Sequence, residues 1–420
     1  MKAIINVSLY DYELFQPYSY IVFDHQIREV GLMEDFRASN MEVIDGQGML
    51  LMPGLINFHT HIYSTLIRGL ALEARPKIFT EILEDVWWRF DNALNLEDLY
   101  QSGCYYGRES IRAGVTALVD HHAGSQIRGS IDKIRAAIKN QCGMKALYCF
   151  ETSDRFDLMT CIQENKEAVD HGDGLFGLHA SLSLSDETLK KVASVLEGHS
   201  IHIHVAESIE DEEHALETYG MRVVNRLEKK GLLTEGSLLA HCVHINDDEA
   251  RLIKSKNCRV VLNPTSNMNN AVGLFNFERL RNEKLDLLVG TDGLGVNVAK
   301  EWQQLYYLGK QSLNDPSGIG LDELRTYLLK SYTHFNSLAH TKLGRFKIGY
   351  CADFMMVDYQ APTPMTQENV FAHIFYGVFD QLCPKNVFID GQVRLLNYQF
   401  LDTWEVAEEQ VKALWERVRK

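Results

Sequence analysis

Positive charge is what this sequence has least of. Against 57 Asp and Glu it sets 42 Lys and Arg, a net charge of -15, and the basic residues are scattered, so no surface for nucleic acid or an anionic membrane is expected. Proline is sparse too, with 8 in 420 residues, while 45% of residues are hydrophobic and 24% charged. There is no repeat and no low-complexity tail, which leaves an ordinary folded protein without long linkers. No apolar run reaches the ~18 residues of a membrane span. The start, MKAIINVSLYDYELF, makes a poor signal peptide because Asn6 and Ser8 break its apolar stretch. A cytoplasmic chain is expected. The 8 cysteines form no CxxC pair, and several sit in apolar strand-like runs, where a reduced thiol packs as a small hydrophobe.

What is present has a clear order. Before residue 53, short β-type segments (KAIINV, SYIVFD, QIREVG, MEVIDGQG) are joined by Gly, Asn and Asp turns. Segments of the same kind return after residue 344, where Asp390-Gly391 has the composition of a tight hairpin turn. Residues 1–53 and 345–401 therefore predict two halves of one β-sandwich accessory domain built from both chain ends. Residues 402–420, with Asp402 placed as an N-cap, acids first and bases last, predict a closing helix. Between them, over 54–344, strand-length apolar runs alternate with amphipathic stretches. The runs fall at 55–61, 115–121, 144–151, 175–181, 200–207, 237–242, 258–264 and 285–292. Eight such units predict an α/β fold, a (β/α)8 TIM-like barrel whose active site forms at the C-terminal ends of its strands.

Polar residues collect at those ends. The first run closes on His59 and His61, which alternation turns to one face, close enough to share a metal ion. The second ends in Asp120 and His121, the third in Glu151, the fourth in His179, and the fifth in His202, His204 and Glu207. His241 lies in the sixth, Asn263 ends the seventh and Asp292 the eighth. A catalytic zinc-type site needs a few His or carboxylate ligands and one position for water. His59, His61, His204 and Asp292 can supply them, and Glu207 and His241 are placed to move protons and polarise the group under attack. Asp120, His121, Glu151 and Arg155 are candidates for substrate contact. His202 and His244 read as packed or supporting residues. The stretch FTEILEDVWWRF, residues 79–90, reads either as a lid or as a helix packed on the barrel.

The motifs FHTH, HVAE, AHCVH and GTDG, in that order, resemble the amidohydrolase superfamily, specifically its mononuclear deaminase branch. The stretches MPGLINFHTHIYSTLIRG, VDHHAG, LHASLSLSDETL and NPTSNMNNAVG are most similar to SsnA-type aminohydrolases, relatives of the chlorohydrolase and guanine deaminase group. The resemblance implies that His59, His61, His204 and Asp292 bind one divalent metal, zinc before iron. It further implies Glu207 as proton shuttle, His241 as electrostatic partner of the attacking water, Asp292 as a catalytic as well as a ligating group, and His179 as a substrate contact. The Lys that bridges two metals in hydantoinase-like members is expected at the end of strand four, where His179 stands instead. The HExxH and PCxxC signatures of other zinc hydrolases and base deaminases are absent. The expected partner is a small purine-like heterocycle that loses an amino group; a homo-oligomer is allowed. Hydrolytic opening of a cyclic amide and a catalytically silent binding module stay open as alternatives.

Overall fold

Runs that are apolar at every position need cover on both faces, and the strands that form here are buried almost throughout. The structure is a computed structural model and describes residues 1–38 and 40–420. The first strands are β1 (Lys2–Tyr10), β2 (Phe15–Phe23), β3 (Ile27–Leu32), β4 (Glu42–Asp45) and β5 (Leu50–Pro53). The central region supplies β6 (Leu55–Thr60), β7 (Val115–His122), β8 (Lys145–Phe150), β9 (Phe176–Ala180), β10 (Ile201–Val205), β11 (Leu238–His241), β12 (Arg259–Leu262) and β13 (Leu287–Val289). β14 (Phe354–Val357), β15 (Asn386–Ile389), β16 (Gln392–Leu396) and β17 (Gln399–Phe400) follow.

Strands β6 to β8 pair in parallel, as do β9 to β13. Backbone hydrogen bonds join the two groups into a barrel. On one side Thr152 N donates to Gly177 O at 3.2 Å and His179 N to Thr152 O at 3.0 Å; on the other, Thr291 N and Asp292 N both donate to His59 O at 3.0 Å. Helices between the strands cover the outside. Two of the best defined, Leu96–Arg112 and Asp247–Ser255, open on asparagine capping boxes at Asn95 and Asn246. Gly290 has a packing reason: a Cβ there would lie 2.7 Å from both the Cβ and the carbonyl oxygen of His59. Only glycine lets the end of β13 reach β6 and deliver Asp292 beside the histidines.

The chain ends meet in one sheet of order β17-β16-β15-β14-β5-β1-β2-β3, with β4 on β1. β5 is the joint, parallel to β1 and antiparallel to β14. β1 divides its edge, pairing residues 2–5 with β4 and residues 8–9 with β5. Asn6, left-handed at φ 55°, sits at the register shift between these halves. The sheet curls there, so that Phe23 of β2 meets Phe354 and Phe388 edge-on at 5.1 and 5.6 Å. Ile4, Leu51 and Met356 complete this second core. Asp390 and Gly391, both at positive φ, form the β15–β16 turn.

Several local expectations change. The stretch from Phe346 to Asp353 is mostly not strand, and helical turns occupy residues 370–378. The tail is helical only over Glu408–Arg419. Asp402 does not cap it, because the helix starts after Ala407; its carboxylate is held by Arg108 instead, whose guanidinium lies 3.9 Å from the centre of the Phe400 ring. The helix docks through Trp415, whose indole N–H donates to Leu66 O at 2.7 Å. Six of the eight cysteines are buried, Cys351 is half-buried and Cys383 is exposed. Among the described residues no helix is long and apolar enough to cross a membrane.

Candidate active site

At the end of β6, His59 and His61 leave the strand on one face while Thr60 turns away to Tyr106 at 2.7 Å. The ring of His61 gives its Nδ1–H to His121 O at 2.7 Å, and His204 on β10 gives its Nδ1–H to His179 O at 2.9 Å. With each proton fixed on Nδ1, each Nε2 carries a lone pair. These two nitrogens face each other at 3.1 Å. Lone pairs meeting at that distance repel unless a cation sits among them. Asp292 Oδ1 adds an anionic donor, 3.0 Å from His61 Nε2 and 3.5 Å from His59 Nε2. The Nε2 atoms of His59 and His241 are buried without a hydrogen bond. Donor atoms of His59, His204, His241 and Asp292 all lie within 4.8 Å of one another, and His61 joins through the contacts above. Orphaned nitrogens, a carboxylate and fixed tautomers fit a borderline-soft divalent metal.

Three strand ends bend to bring these groups together. Ala206, His241 and Asp292 have φ of 46°, 71° and 54°, left-handed values that cost non-glycine residues on the order of 1–3 kcal/mol each. The turn at Ala206, whose N–H is held by Asp211 at 3.1 Å, breaks the alternation that would point Glu207 outward. Glu207 Oε2 thereby comes within 3.4 Å of His241 Nε2. His241 is oriented from behind by Asn267 Oδ1 at 2.8 Å, and Asp292 Oδ2 accepts from Ser266.

Electrostatics follow from burial and neighbours. Burial holds His59 and His204 well below the usual imidazole range, so both are neutral, as ligands must be. Burial works against protonation of His61 as well, but the Asp292 carboxylate raises it to about 9, so that without metal a proton takes the Nε2 lone pair that a metal would otherwise use. Burial alone would raise Asp292; His59 and His61 keep it well below the carboxylate range. Glu207 is pushed up to about 7 by burial, with Asp292 adding to the shift and His241 opposing it.

Residues 50–394 match the family model described as the Amidohydrolase family. The chain belongs to the amidohydrolase family. It is 28% identical over 420 residues to the 5'-deoxyadenosine deaminase of Methanocaldococcus jannaschii, covering 94% of this chain and 96% of that one. It is 29% identical over 388 residues to the 5-methylthioadenosine/S-adenosylhomocysteine deaminase of Pelotomaculum thermopropionicum, covering 88% and 87%. Among solved structures, an adenosine deaminase from Xanthomonas campestris with bound zinc superposes with a TM-score of 0.84 at 21% identity, covering 100% of this chain and 98% of that one.

In this amidohydrolase a cavity of about 720 Å³, counting the solvent at its mouth, opens over the cluster. His61, His204, Glu207 and Asp292 form its floor, and Glu151 and His179 its side. Glu151 lies 3.5 Å from His179 Nε2 and 3.5 Å from His121 Nδ1. Three of the expected substrate contacts, His121, Arg155 and Asp120, do not line the cavity. His121 is fully buried behind the cluster, where its Nε2 faces the carbonyls of Leu178 and His202 at 3.0 and 3.2 Å. Arg155 is turned aside to Asp91 at 3.0 Å. Strand parity alone could not show this, since both sit near strand ends whose chain then bends. Asp120 is also buried, accepting from Ile62 N at 3.0 Å, and His202 bonds His59 Nδ1 at 2.9 Å as a support. His244 faces Val272 O at 2.6 Å.

Other wall residues are not marked as such by the sequence: Tyr63, Asp91, Ser266 and Asn270, with Asn267 behind His241. NPTSNMNN carries the only signal for the last three, a polar run straight after an apolar strand. The 79–90 stretch is helical and its Phe79, Leu83, Trp87 and Trp88 line the cavity, so it packs on the barrel and roofs the site at once.

Proposed function

We propose that this amidohydrolase hydrolytically deaminates an amino-bearing, purine-like heterocycle, using one zinc ion held by His59, His61, His204 and Asp292. The observation that carries the reading is the facing pair of His61 and His204 Nε2 atoms at 3.1 Å, with Asp292 on one side and Glu207 on the cavity floor. The deaminase names of the relatives support the reaction type, and the zinc-bound neighbour of the same fold supports the metal. Bound there, zinc supplies Lewis acidity that brings the pKa of water from about 15.7 to about 7.

The residues do the rest of the work. Glu207, near neutrality in its pKa, gives its proton to the ring nitrogen beside the amino-bearing carbon. Asp292 takes the proton released by the attacking water. His241, fixed by Asn267, stabilises the developing negative charge. The new C–O bond becomes a carbonyl as the C–N bond breaks: the amine leaves as ammonia with the proton Asp292 returns, and the remaining hydroxyl proton passes to Glu207 and restores it. The aromatic roof limits competing water. We place the reaction on a small-molecule substrate in the cytoplasm, without nucleic acid or membrane.

A panel of adenosine-type nucleosides, aminopurines, pterins, aminopyrimidines and cyclic ureides, followed separately for ammonia and for ring absorbance, tests this. Ammonia in step with turnover of an amino heterocycle is expected. Loss of ring absorbance without ammonia would replace deamination by ring opening.

A further inference from the structure

The cavity wall carries carboxylates but, among the described residues, no Lys or Arg. Asp292 belongs to the metal cluster, and Asp211 is committed to the N–H groups of Leu182 and Ala206 at 2.9 and 3.1 Å. Glu207 serves as the proton shuttle, which leaves Glu151 and Asp91. Asp91 lines the cavity at 1% exposure, its Oδ1 buried beside Tyr63. Its other oxygen holds Arg155 Nη1 at 3.0 Å. Arg155 is thereby drawn behind the wall, its guanidinium 4.6 Å from the Trp88 ring centre and 4.8 Å from that of Phe156, with Nη2 unpartnered. A fixed cation is thus held behind the wall, while the Glu151 carboxylate and the Tyr63 ring line the ligand space.

Resting on the reading of this cavity as the substrate site, we propose that it selects uncharged or cationic heterocycles and rejects phosphate- or carboxylate-bearing ones. Asp91 is the specificity-determining residue: its carboxylate holds Arg155 behind the wall and out of the cavity. An anionic substituent brought beside Glu151 meets like charge with no cation on the wall, and at an effective dielectric near 20 such a contact costs on the order of a hundredfold in affinity. A cationic or hydroxyl-bearing substituent meets the Glu151 carboxylate instead, and the indoles above it cover the flat ring.

Equilibrium binding of three matched nucleosides, read by intrinsic tryptophan fluorescence on the metal-loaded full chain, tests the proposal. Adenosine should bind at least about 30-fold more tightly than adenosine 5'-monophosphate, and 5'-amino-5'-deoxyadenosine at least as tightly as adenosine. In Asp91→Asn, release of Arg155 should shift the adenosine to monophosphate ratio at least tenfold toward the monophosphate, a gain that a merely structural role for Asp91 does not produce. Monophosphate binding within about threefold of adenosine in the natural chain, or no adenosine binding, overturns the proposal even if the variant fails to fold; so does an unchanged ratio in a folded variant. Adenosine that binds as expected but yields no ammonia would sink the deamination reading and leave this one standing.

Discussion

The two ends of the barrel treat buried charge in opposite ways. At the N-terminal ends of the strands three carboxylates meet cations. Lys145 at the start of β8 bonds both oxygens of Asp353 at 2.8 and 3.0 Å and reaches Asp390 at 2.6 Å. Asp173, just before β9, takes a two-pronged grip from Arg135 at 2.7 and 3.0 Å. Asp286, before β13, is met by Lys330 at 2.6 Å and His334 at 3.3 Å. At the C-terminal ends, imidazole nitrogens face one another, two of them orphaned, and the chain takes left-handed turns at Ala206, His241 and Asp292 to hold them there. Completed ion pairs fix one end as scaffold. Unsatisfied donors and stored strain mark the other as the place for chemistry.

That contrast can be broken by mutation. His61→Ala should lower turnover at least a thousandfold and release metal while leaving the chain folded, since the side chain stands at a strand end outside the packed layers; circular dichroism and metal analysis of the purified variant check both halves. A variant that unfolds outright would make the histidine scaffold after all. Glu207→Gln keeps the shape and cannot carry the proton, so a loss on the order of 10²-fold in turnover with metal retained is expected, and near-normal turnover would remove Glu207 from the mechanism.

The opposite end should answer in stability. Lys145→Met leaves Asp353 buried without its cation, at a cost of about 1–3 kcal/mol in denaturant unfolding with turnover per folded molecule unchanged. The smallest effect is on acid stability. Lys330 and His334 hold the Asp286 carboxyl far below its ordinary value, His334 contributing most. A depressed folded value means that this stabilisation is complete above the ordinary carboxylate pKa of ~4 and drains away as pH falls toward the folded one. Asp286→Asn should therefore be less stable than the natural chain near pH 6, with the gap narrowing below pH 4. A gap that widened with acid would reverse the assignment.

Much of this contrast is legible in the order of the residues. Strand-length apolar runs and amphipathic stretches of helical period alternate from residue 55 onward, and His59, His61, His204 and Asp292 each end an apolar run, so barrel and cluster share one pattern. Strict alternation from His204 misplaces Glu207, and only a bend there can re-aim it; the left-handed Ala206 is that bend. Less is legible where position depends on contacts distant in sequence. Asp91 and Trp87 resemble any amphipathic helix until the helix is laid across the barrel mouth. Arg155 reads as available because its partner Asp91 lies 64 residues earlier. Asp402 reads as a cap because nothing local shows that Arg108 claims it. The short strand β5 is hidden because its sequence runs without a break into Gly54 and β6.

The central claim is that the facing nitrogens at the C-terminal end are the bed of a single metal ion. Elemental analysis of the chain, purified without chelator and quantified against protein concentration, measures this directly. The account predicts close to one equivalent of divalent metal, lost in His59→Ala and His61→Ala. Close to two equivalents, or one equivalent retained in both variants, would contradict it.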